Sequence, residues 1–471
     1  MHAPGSEGNP LQVAVVGSGP SGFYAAEALL KSGRTVDVDL IERLPAPFGL
    51  VRYGVAPDHP KLKEAILAYQ IIARLPRFAL LGNVTVGRDV TIDELLAHYH
   101  AVVFACGAEA DRRLGVPGED LAGSHTATEF VAWYNGHPEY RDRHFDLSAE
   151  VVSVVGQGNV AADVCRILAK SVDELRSTDI AEHALDALAA SRVREIHVIG
   201  RRGPAQAKFT NKELKELGEL ANCAAQVDAG ALELNAESRA ELEAKANFIS
   251  AKNVEIMRDF ASRAPGGKPR RLIFHFLKSP AKLTGSGQLQ EVVLVRNRLE
   301  GAPFEQVARE TGQTESLACG LLFRSIGYIG VPVPGVPFDA KRGVIPTRDG
   351  RMVDAAGTSI PRLYAAGWIK RGPTGIIGTN RADSVASVKS LLADLPALPQ
   401  DSRMGSKGVA PLLQARGVRP VSFADWAAID AEEVARGRPK GKPREKFTRV
   451  DEMLACFERA GQPALRARGA S

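Results

Sequence analysis

The sequence predicts an α/β fold of two parallel-sheet domains, the second inserted into the first, with a small antiparallel β-meander. The segments VAVVGSGPSG at 13–22 and VVSVVGQGNVA at 151–161 each join an apolar strand, a glycine turn and the start of a helix. RRLIFHFLKSP and LQEVVLVRNRLE, on either side of the turn GSGQ, supply the meander. We expect two Rossmann-like domains, one over 1–109 and 330–471 with a C-terminal helical tail, the other over 110–329.

The first glycine turn has the GxGxxG spacing, at Gly17, Gly19 and Gly22. Gly17 permits the turn, Gly19 lets a pyrophosphate approach the backbone, and Gly22 allows close packing of helix and strand. Glu42 follows at the end of the next apolar strand, where a carboxylate accepts hydrogen bonds from both ribose hydroxyls. The motif therefore predicts FAD or NAD, and the alternative is a structural glycine turn without a nucleotide.

Composition describes an ordinary globular protein. The chain has 471 residues, 45% of them hydrophobic and 24% charged, enough for two or three domains. Because there is no membrane-length apolar run and no signal core, we expect a cytoplasmic protein, although the mature form of an organelle enzyme stays open. The net charge of +5 is typical of a solvated surface or of a protein with an acidic partner, and no nucleic-acid motif accompanies it.

The cysteines indicate what the chain does not do. The five of them show no CxxC or CxxxxC spacing, so neither a redox disulfide nor a metal or iron–sulfur site held by this chain is predicted; they are Cys106, Cys165, Cys223, Cys319 and Cys456. No metal ligand is predicted among the other residues.

A loop rich in proline and glycine follows Glu42, at the edge of the sheet where α/β folds bind ligands. Gly49 and Leu50 could present backbone amides to a cofactor there. His59 precedes a helix, so it could cap that helix, lie on the surface or act in catalysis. GNVTVGRDV predicts a short strand pair in which Val86 faces an adenine.

The second motif has GxGxxA spacing, at Gly156, Gly158 and Ala161. Its second strand, EIHVIG, ends in Arg201 and Arg202, where the first motif has an acid. Guanidinium groups bind a 2'-phosphate through charge-assisted bonds, so this half predicts NADP rather than NAD. The alternative is an exposed basic turn.

The segment after the arginines carries a predicted helix. Thr210 and Glu213 have capping-box spacing, which would give Glu213 a structural role. Lys208, Lys212 and Lys215 make the neighbourhood basic, either as a solvated face or as a docking surface. CGLLFRSIGYIG then predicts the strand that returns the chain to the first domain.

The returning segment predicts a strand up to Gly367, a loop, and a helix after Thr379. The helix N-terminus and the amides of 375–377 would stabilise negative charge on a reduced flavin. In the tail, ADWAAIDAEEVARG and RVDEMLACFERAG predict two amphipathic helices joined by GRPKGKPREK, which we interpret as a surface linker.

Several long motifs resemble one family. GSGPSGFYAAEALL, GLVRYGVAPDHPKLK, VVGQGNVAADVCRIL, GRRGPAQAKFTNKEL and AAGWIKRGPTGIIGTN are similar to the adrenodoxin reductase family of ferredoxin-NADP reductases, particularly its actinobacterial members. The likeness runs in order over about residues 11 to 395. It implies an NADPH-dependent FAD oxidoreductase that delivers single electrons to an acidic iron–sulfur ferredoxin, supplying for example cytochrome monooxygenases.

The resemblance also implies site residues. FAD would be held by Ser21, Glu42, Leu50, Val86, Trp368, Gly375, Ile376 and Ile377. NADPH would be held by Arg112, Gln157, Gly158, Asn159, Val160, Arg201, Arg202, Glu213 and Gly375. His59 and Glu213 match the histidine and acid beside the nicotinamide, where they would orient it and supply protons. Trp368 stands where the wider class of two-dinucleotide flavoproteins has an aspartate, as in this family.

Three other functions compete with an electron-transfer enzyme. A disulfide reductase lacks its cysteine pair here. A flavin monooxygenase needs an organic-substrate pocket, for which there is no signature. A nucleotide-sensing subunit without turnover is disfavoured by the intact arginines and flavin loop. We expect a monomer that docks its ferredoxin near Lys208, Lys212 and Lys215.

Overall fold

The computed structural model describes residues 2–264 and 266–458. Within these ranges the strands are β1 (Leu11–Val16), β2 (Val36–Ile41), β3 (Phe78–Leu81), β4 (Ala101–Phe104), β5 (Ala110–Asp111), β6 (Ser124–Thr126), β7 (Val151–Val155), β8 (Glu195–Ile199), β9 (Cys223–Val227), β10 (Arg270–His275), β11 (Lys278–Thr284), β12 (Glu291–Glu300), β13 (Val307–Ala318), β14 (Leu321–Arg324), β15 (Tyr328–Ile329), β16 (Thr347–Arg348), β17 (Arg351–Val353) and β18 (Ser359–Ala365).

The α-helices of the same ranges are α1 (Pro20–Leu30), α2 (Leu50–Tyr53), α3 (Pro60–Lys63), α4 (Ala65–Ala73), α5 (Ile92–His98), α6 (Ala127–Tyr134), α7 (Asn159–Ala169), α8 (Val172–Arg176), α9 (Glu182–Ala189), α10 (Asn211–Gly218), α11 (Ala236–Glu243), α12 (Phe248–Ser262), α13 (Trp368–Arg371), α14 (Thr379–Ala393), α15 (Ser406–Ala415), α16 (Phe423–Gly437) and α17 (Val450–Glu458). None of these helices is both long and apolar enough to cross a bilayer. The last predicted helix continues into 459–461, which lie outside the described residues.

The chain forms two compact units. The first unit contains residues 1–55, 59–110 and the chain from Tyr328 onward, and the second contains Ala56–Asp58 and Asp111–Gly327. The sheet of the first unit has seven strands in the order β16-β17-β18-β4-β1-β2-β3. Its five strands from β18 to β3 are parallel, and β16 and β17 add an antiparallel edge.

The central strand β1 is buried on both faces, as its apolar run predicts. Val13 and Val15 join one hydrophobic cluster, while Ala14 and Val16 join another on the opposite side. This alternation follows from the two-residue period of a strand. The sheet is therefore a rigid layer whose carboxyl edge carries the glycine turn.

The second unit repeats this plan with a six-stranded sheet, β6-β14-β7-β8-β10-β9. The pairings of β7, β8, β9, β10 and β14 are parallel. Two sequence expectations are corrected here. RRLIFH forms β10 inside this parallel sheet rather than part of the meander, and LLFR forms β14 beside β7, so the chain leaves the unit only after Gly327. Burial alternates along β10, whereas the first three residues of β14 are all buried, and neither pattern reveals strand direction.

The small antiparallel sheet consists of β11, β12 and β13. The meander prediction is confirmed for β11 and β12, and β13 is an additional strand that is mostly exposed and therefore lacks an apolar pattern. The strand pair expected in GNVTVGRDV is reduced to a single bridge between Val86 and Val90. β5 and β15 form a separate two-stranded sheet.

The C-terminal tail packs on the first unit through a buried ion pair. Glu433 of α16 accepts hydrogen bonds of 2.9 and 2.6 Å from the guanidinium of Arg52, and both side chains are almost fully buried. The Arg52 guanidinium also lies 4.8 Å from the ring centre of Trp426. The interpretation of 437–446 as a surface linker is wrong, because Lys442, Glu445 and Lys446 are buried.

We expect Glu433→Ala to lower the free energy of unfolding by about 3 to 5 kcal/mol, because it leaves the Arg52 charge buried without its partner. Urea denaturation followed by circular dichroism measures this loss. The neighbouring exposed Glu432→Ala is the matched control and should change stability by less than about 0.5 kcal/mol. Equal effects of the two substitutions would contradict a stabilising role for the ion pair.

Candidate nucleotide-binding and active site

The first glycine turn lies directly after β1 and admits no side chains at two of its three glycines. Gly17 has a φ of +105°, and a Cβ added at Gly22 would lie 1.9 Å from the carbonyl oxygen of Gly17. A Cβ at Gly19 would instead point into open space. This opening forms a cradle at the N-terminus of α1, where the free backbone amides favour an anion such as a pyrophosphate.

Glu42 is fixed against this turn. Its carboxylate accepts hydrogen bonds from the Ser18 amide at 3.1 Å, the Ser18 hydroxyl at 2.6 Å and the Leu44 amide at 3.0 Å. A carboxylate offers about four acceptor positions, so one stays available for a ribose hydroxyl. The negative charge sits beside the cradle, which disfavours a further phosphate on that ribose.

The loop after Glu42 returns to the same turn. The amide of Phe48 donates to the carbonyl of Ser18 at 3.1 Å, and a Cβ at Gly49 would lie 3.1 Å from Cα of Gly19. Leu50 begins α2 immediately after Gly49. His59 is buried at the start of α3 and makes no side-chain cap, so the capping and surface alternatives do not describe it.

Val86 is buried in the hydrophobic cluster that also contains Val16 and Ile41, at the ends of β1 and β2. It thus lies at the same sheet edge as Glu42. An apolar side chain in this place suits the face of an adenine.

Residues of the returning segment meet the first helix. A Cβ at Gly367 would lie 2.0 Å from the hydroxyl of Ser21, and that hydroxyl bonds Asn380 at 3.1 Å. The Trp368 indole N–H donates to the carbonyl of Thr374 at 3.1 Å, which ties the indole to the loop before α14. Gly367 is thus fixed against α1, and Trp368 is fixed against the loop before α14.

The stretch from Gly375 to Ile377 precedes α14 and is open to solvent. Gly375 has a φ of +82°, and Ile376 is 71% exposed. The Ile376 amide donates to the Thr379 hydroxyl at 3.2 Å, so this amide is partly occupied within the loop. Ile377 packs against the apolar cluster of the first unit.

The second glycine turn repeats the geometry of the first. Gly156 has a φ of +137°, and a Cβ there would lie 2.1 Å from the carbonyl oxygen of Ser325. A Cβ at Gly158 points into open space, as at Gly19. Asn159 and Val160 begin α7. The side-chain oxygen of Asn159 accepts a hydrogen bond from the Thr210 backbone amide at 2.8 Å. The side-chain amide of Gln157 donates to the carbonyl of His275 at 3.0 Å.

Arg201 and Arg202 follow β8 at the same sheet edge. Within the described ranges neither guanidinium has a hydrogen-bond or ion-pair partner, and Arg202 is only partly exposed. Burial lowers the pKa of Arg202, and the neighbouring Arg201 lowers it further, while Glu241 opposes this effect. Two adjacent guanidinium groups without partners form a site for an anion with two charges. Arg112 is exposed in the same unit, near Gly327.

Glu213 lies in the first turn of α10, where the Thr210 hydroxyl caps the helix by accepting from its amide. The cap prediction is confirmed, but the Glu213 carboxylate takes a further role. It is buried and accepts from the Arg166 guanidinium at 3.1 Å. The Thr210 amide donates to Asn159 instead of completing a reciprocal capping box.

Arg166, which sequence reasoning missed, organises a buried charge cluster in the second unit. It is 2% exposed and also binds Asp58 and Asp163, each at 2.6 Å, while Lys170 binds Asp58 at 2.8 Å. Burial opposes ionisation of Asp58, but hydrogen bonds from Arg166 and Lys170 hold its pKa well below the ordinary value. The available signal was an arginine on the otherwise apolar face of α7.

The three lysines near the arginines differ in their surroundings. Lys208 is exposed, and its side-chain ammonium has no hydrogen-bond or ion-pair partner among the described residues. Lys212 and Lys215 form ion pairs along α10 with Glu216 at 3.6 Å and Glu219 at 3.4 Å. These exposed pairs are weak, so a partner's carboxylates can compete with them.

The two cradles define a class of protein. One has a carboxylate beside a pyrophosphate-sized opening, and the other has two unpaired arginines beside a matching opening, so the residues present fit FAD and NADP(H). All five cysteines are free. This is an FAD- and NADP(H)-dependent oxidoreductase with one dinucleotide-binding motif in each unit.

Comparison with known proteins agrees with this class. The family described as pyridine nucleotide-disulphide oxidoreductase matches residues 11–215. NADPH:adrenodoxin oxidoreductase of Salvelinus fontinalis is 46% identical over 94% of this chain and 90% of its own length. NADPH-ferredoxin reductase FprA of Mycobacterium tuberculosis is 43% identical over 94% of this chain and 98% of its own length.

A solved structure, Mycobacterium tuberculosis FprA in complex with NADPH, superposes with a TM-score of 0.89 at 42% identity, covering 95% of this chain and 99% of that one. The chain belongs to the adrenodoxin reductase family of ferredoxin-NADP reductases.

A pair of histidines lies on adjacent strands of the six-stranded sheet in the second unit. His197 of β8 and His275 of β10 approach to 2.8 Å between ring nitrogens, with Glu195 and Lys278 beside them. Burial, with the charge of Lys278 and the proximity of His197, lowers the pKa of His275 to about 4. The backbone of His275 binds Gly200 and Gln157, so this pair supports the turn that carries the arginines.

We expect the free energy of unfolding to fall as the pH is lowered from about 6.5 to about 4. In this range the unfolded chain binds a proton at position 275 that the folded chain does not, so acidification favours unfolding, by about 2 kcal/mol for this group. Urea titrations at pH 7, 5.5 and 4.5 measure the slope. His275→Gln should flatten it, whereas substitution of the exposed His144 by Gln should leave it unchanged. An unaltered slope in His275→Gln would refute this assignment.

Proposed function

We propose that this chain transfers a hydride from NADPH to FAD and then passes electrons singly to an iron–sulfur ferredoxin. The observation that carries this function is the opposite charge at two equivalent turns, Glu42 at the first and Arg201 with Arg202 at the second. Opposite charges let each unit select a different dinucleotide. When bound, FAD supplies the conversion of a two-electron donor into single electrons.

Each group of residues has a distinct role in this proposal. The first turn, with Glu42, Leu50 and Val86, binds FAD together with Ser21, Gly367 and Trp368. The 375–377 loop stabilises negative charge at the flavin ring through its backbone amides and the N-terminus of α14.

The second turn binds the NADPH pyrophosphate through the amides from Gln157 to Val160 at the N-terminus of α7. Arg201 and Arg202 bind the 2'-phosphate, and Arg112 adds positive charge. Glu213 accepts a hydrogen bond from Arg166, and we assign it together with His59 to the orientation of the nicotinamide and to proton supply.

Anaerobic mixing of the purified protein with NADPH, and separately with NADH, tests the function directly. Rapid bleaching of the flavin absorbance by NADPH alone supports the hydride step and the choice of nucleotide. Bound flavin that neither nucleotide bleaches would favour a sensing subunit without turnover. Reduction of one-electron acceptors without oxygen insertion separates this enzyme from a flavin monooxygenase.

We expect Arg201→Ala combined with Arg202→Ala to raise the KM for NADPH far more than that for NADH, because each charge-assisted contact contributes about 1.5 to 3 kcal/mol. Steady-state kinetics with a small acceptor measures both constants. Arg192→Ala with Arg194→Ala is the matched control, since these exposed arginines precede the same strand β8. Equal losses for both nucleotides would show that Arg201 and Arg202 do not bind the phosphate.

The ferredoxin partner docks, in our proposal, on the surface of Lys208, Lys212 and Lys215. Its acidic face would approach this surface with electrostatic guidance, and salt would screen that guidance. A cytoplasmic location and a monomeric state stay predictions.

We expect Lys208→Glu, Lys212→Glu and Lys215→Glu together to slow ferredoxin reduction at low salt by about 10-fold, because like charges then repel the partner. Reduction of a small neutral acceptor should not change. Lys252→Glu is the matched control, because Lys252 is an exposed lysine of the same unit with its own helical ion pair to Glu255. If Lys252→Glu slows ferredoxin reduction as strongly, docking depends on overall charge rather than on this surface.

A further inference from the structure

The turn that carries the two arginines is fixed by hydrogen bonds to three consecutive backbone carbonyl groups. The carbonyl oxygens of Gly200, Arg201 and Arg202 each accept one hydrogen bond. Their donors are the Lys278 amide at 3.0 Å, the Asn297 side-chain amide at 2.9 Å and the Leu277 amide at 3.0 Å. All three donors belong to the antiparallel sheet or to its entry, so this sheet fixes the turn.

Asn297 is the only side chain among these three donors. It is 3% exposed and lies on β12 at a break in the register with β13, where the pairing shifts between Val295 and Asn297. Its second amide hydrogen goes to the Ser279 hydroxyl at 2.8 Å, and its backbone amide donates to Leu277 at 2.7 Å. Both side-chain donors are thus used, which specifies one orientation of the amide.

The entry to the sheet is also constrained at Leu277. This residue has a φ of +53°, a left-handed conformation that leucine rarely adopts. Such a backbone persists only where surrounding contacts determine it. The bonds from Leu277 to Arg202 and from Asn297 to Leu277 are those contacts, and they end at the arginine turn.

We propose that Asn297 is a positioning residue that sets the preference for a 2'-phosphate, acting through the backbone of Arg201. This inference rests on the proposed role of Arg201 and Arg202 and extends it to the sheet behind them. A turn held in one conformation presents both guanidinium groups without first losing backbone freedom, so the phosphate gains affinity. A ligand without the 2'-phosphate does not contact these guanidinium groups, so the ordered turn does not raise its affinity.

The test uses equilibrium binding by the intact FAD-containing protein, without turnover. Calorimetry with 2',5'-ADP and with 5'-ADP isolates the contribution of the 2'-phosphate. We expect Asn297→Ala to weaken binding of 2',5'-ADP by about 5-fold, the effect of one lost hydrogen bond, and to leave 5'-ADP within about 2-fold. Equal weakening of both ligands, or no weakening, would overturn the inference.

Two controls separate positioning from general stability. Ser279→Ala removes the other acceptor of the same amide and should leave the ratio of the two affinities unchanged. Asn135→Ala removes a buried asparagine of the same unit that bonds Val131 instead, and should also leave it unchanged. If the ratio of the affinities for 2',5'-ADP and 5'-ADP falls as much in either control as in Asn297→Ala, the effect is due to packing and the inference is overturned.

A second variant covers the case in which Asn297→Ala does not fold. Asn297→Asp has the same volume, but an ionised carboxylate cannot donate to the Arg201 carbonyl. Asn297→Leu has a similar volume but neither a charge nor a donor, so it separates the lost hydrogen bond from the added charge. A preference for 2',5'-ADP that falls in Asn297→Asp but not in Asn297→Leu contradicts positioning.

The combined Arg201→Ala and Arg202→Ala variant distinguishes the two proposals. If it keeps the preference for 2',5'-ADP, the role proposed for the arginines fails, and the role of Asn297 fails with it. If it loses the preference while Asn297→Ala keeps it, only the role of Asn297 fails. If both variants lose the preference for 2',5'-ADP, adding Asn297→Ala to the arginine variant should lower that preference no further. An additional loss would contradict an action of Asn297 through Arg201.

Discussion

The structure depends on one constraint, which is that backbone packs directly against backbone at each of the two glycine turns. A Cβ at Gly22 would lie 1.9 Å from a carbonyl oxygen, and one at Gly156 would lie 2.1 Å from another. Because these positions are filled by backbone, each helix begins directly at its strand, and its free amides open onto the neighbouring space at Gly19 or Gly158. A nucleotide pyrophosphate requires this arrangement, and both units provide it.

Since the turns are alike, the charges after the second strand of each unit distinguish them. Glu42 accepts two hydrogen bonds from Ser18 of its turn and one from Leu44, so its carboxylate is placed before any ligand binds. Arg201 and Arg202 differ, because their side chains are unpaired within the described residues while their backbone is held. The two turns thus differ in local charge on one repeated scaffold.

The sequence predicts those features that depend on local pattern. Strand β1, the two glycine turns, the acid and the arginines are all visible in short segments, and the fold class is confirmed. Features that depend on distant contacts were missed. The direction of β10 depends on its pairing with β8 and β9. The burial of Lys442 accompanies its ion pair with Glu445. The position of Asn297 beside the Arg201 carbonyl is visible only in the folded chain. The site residues themselves stay predictions.

The three residues Ala56–Asp58 belong to the second unit although the chain on both sides of them belongs to the first. Asp58 supplies a carboxylate to the buried guanidinium of Arg166. A fragment cut at the obvious boundaries, 111–327, would therefore lack a native counter-charge and expose a defect in its own core. Dissection of this enzyme into separately expressed halves should retain that tripeptide, and grafting the second unit onto another scaffold requires an acidic substitute for it.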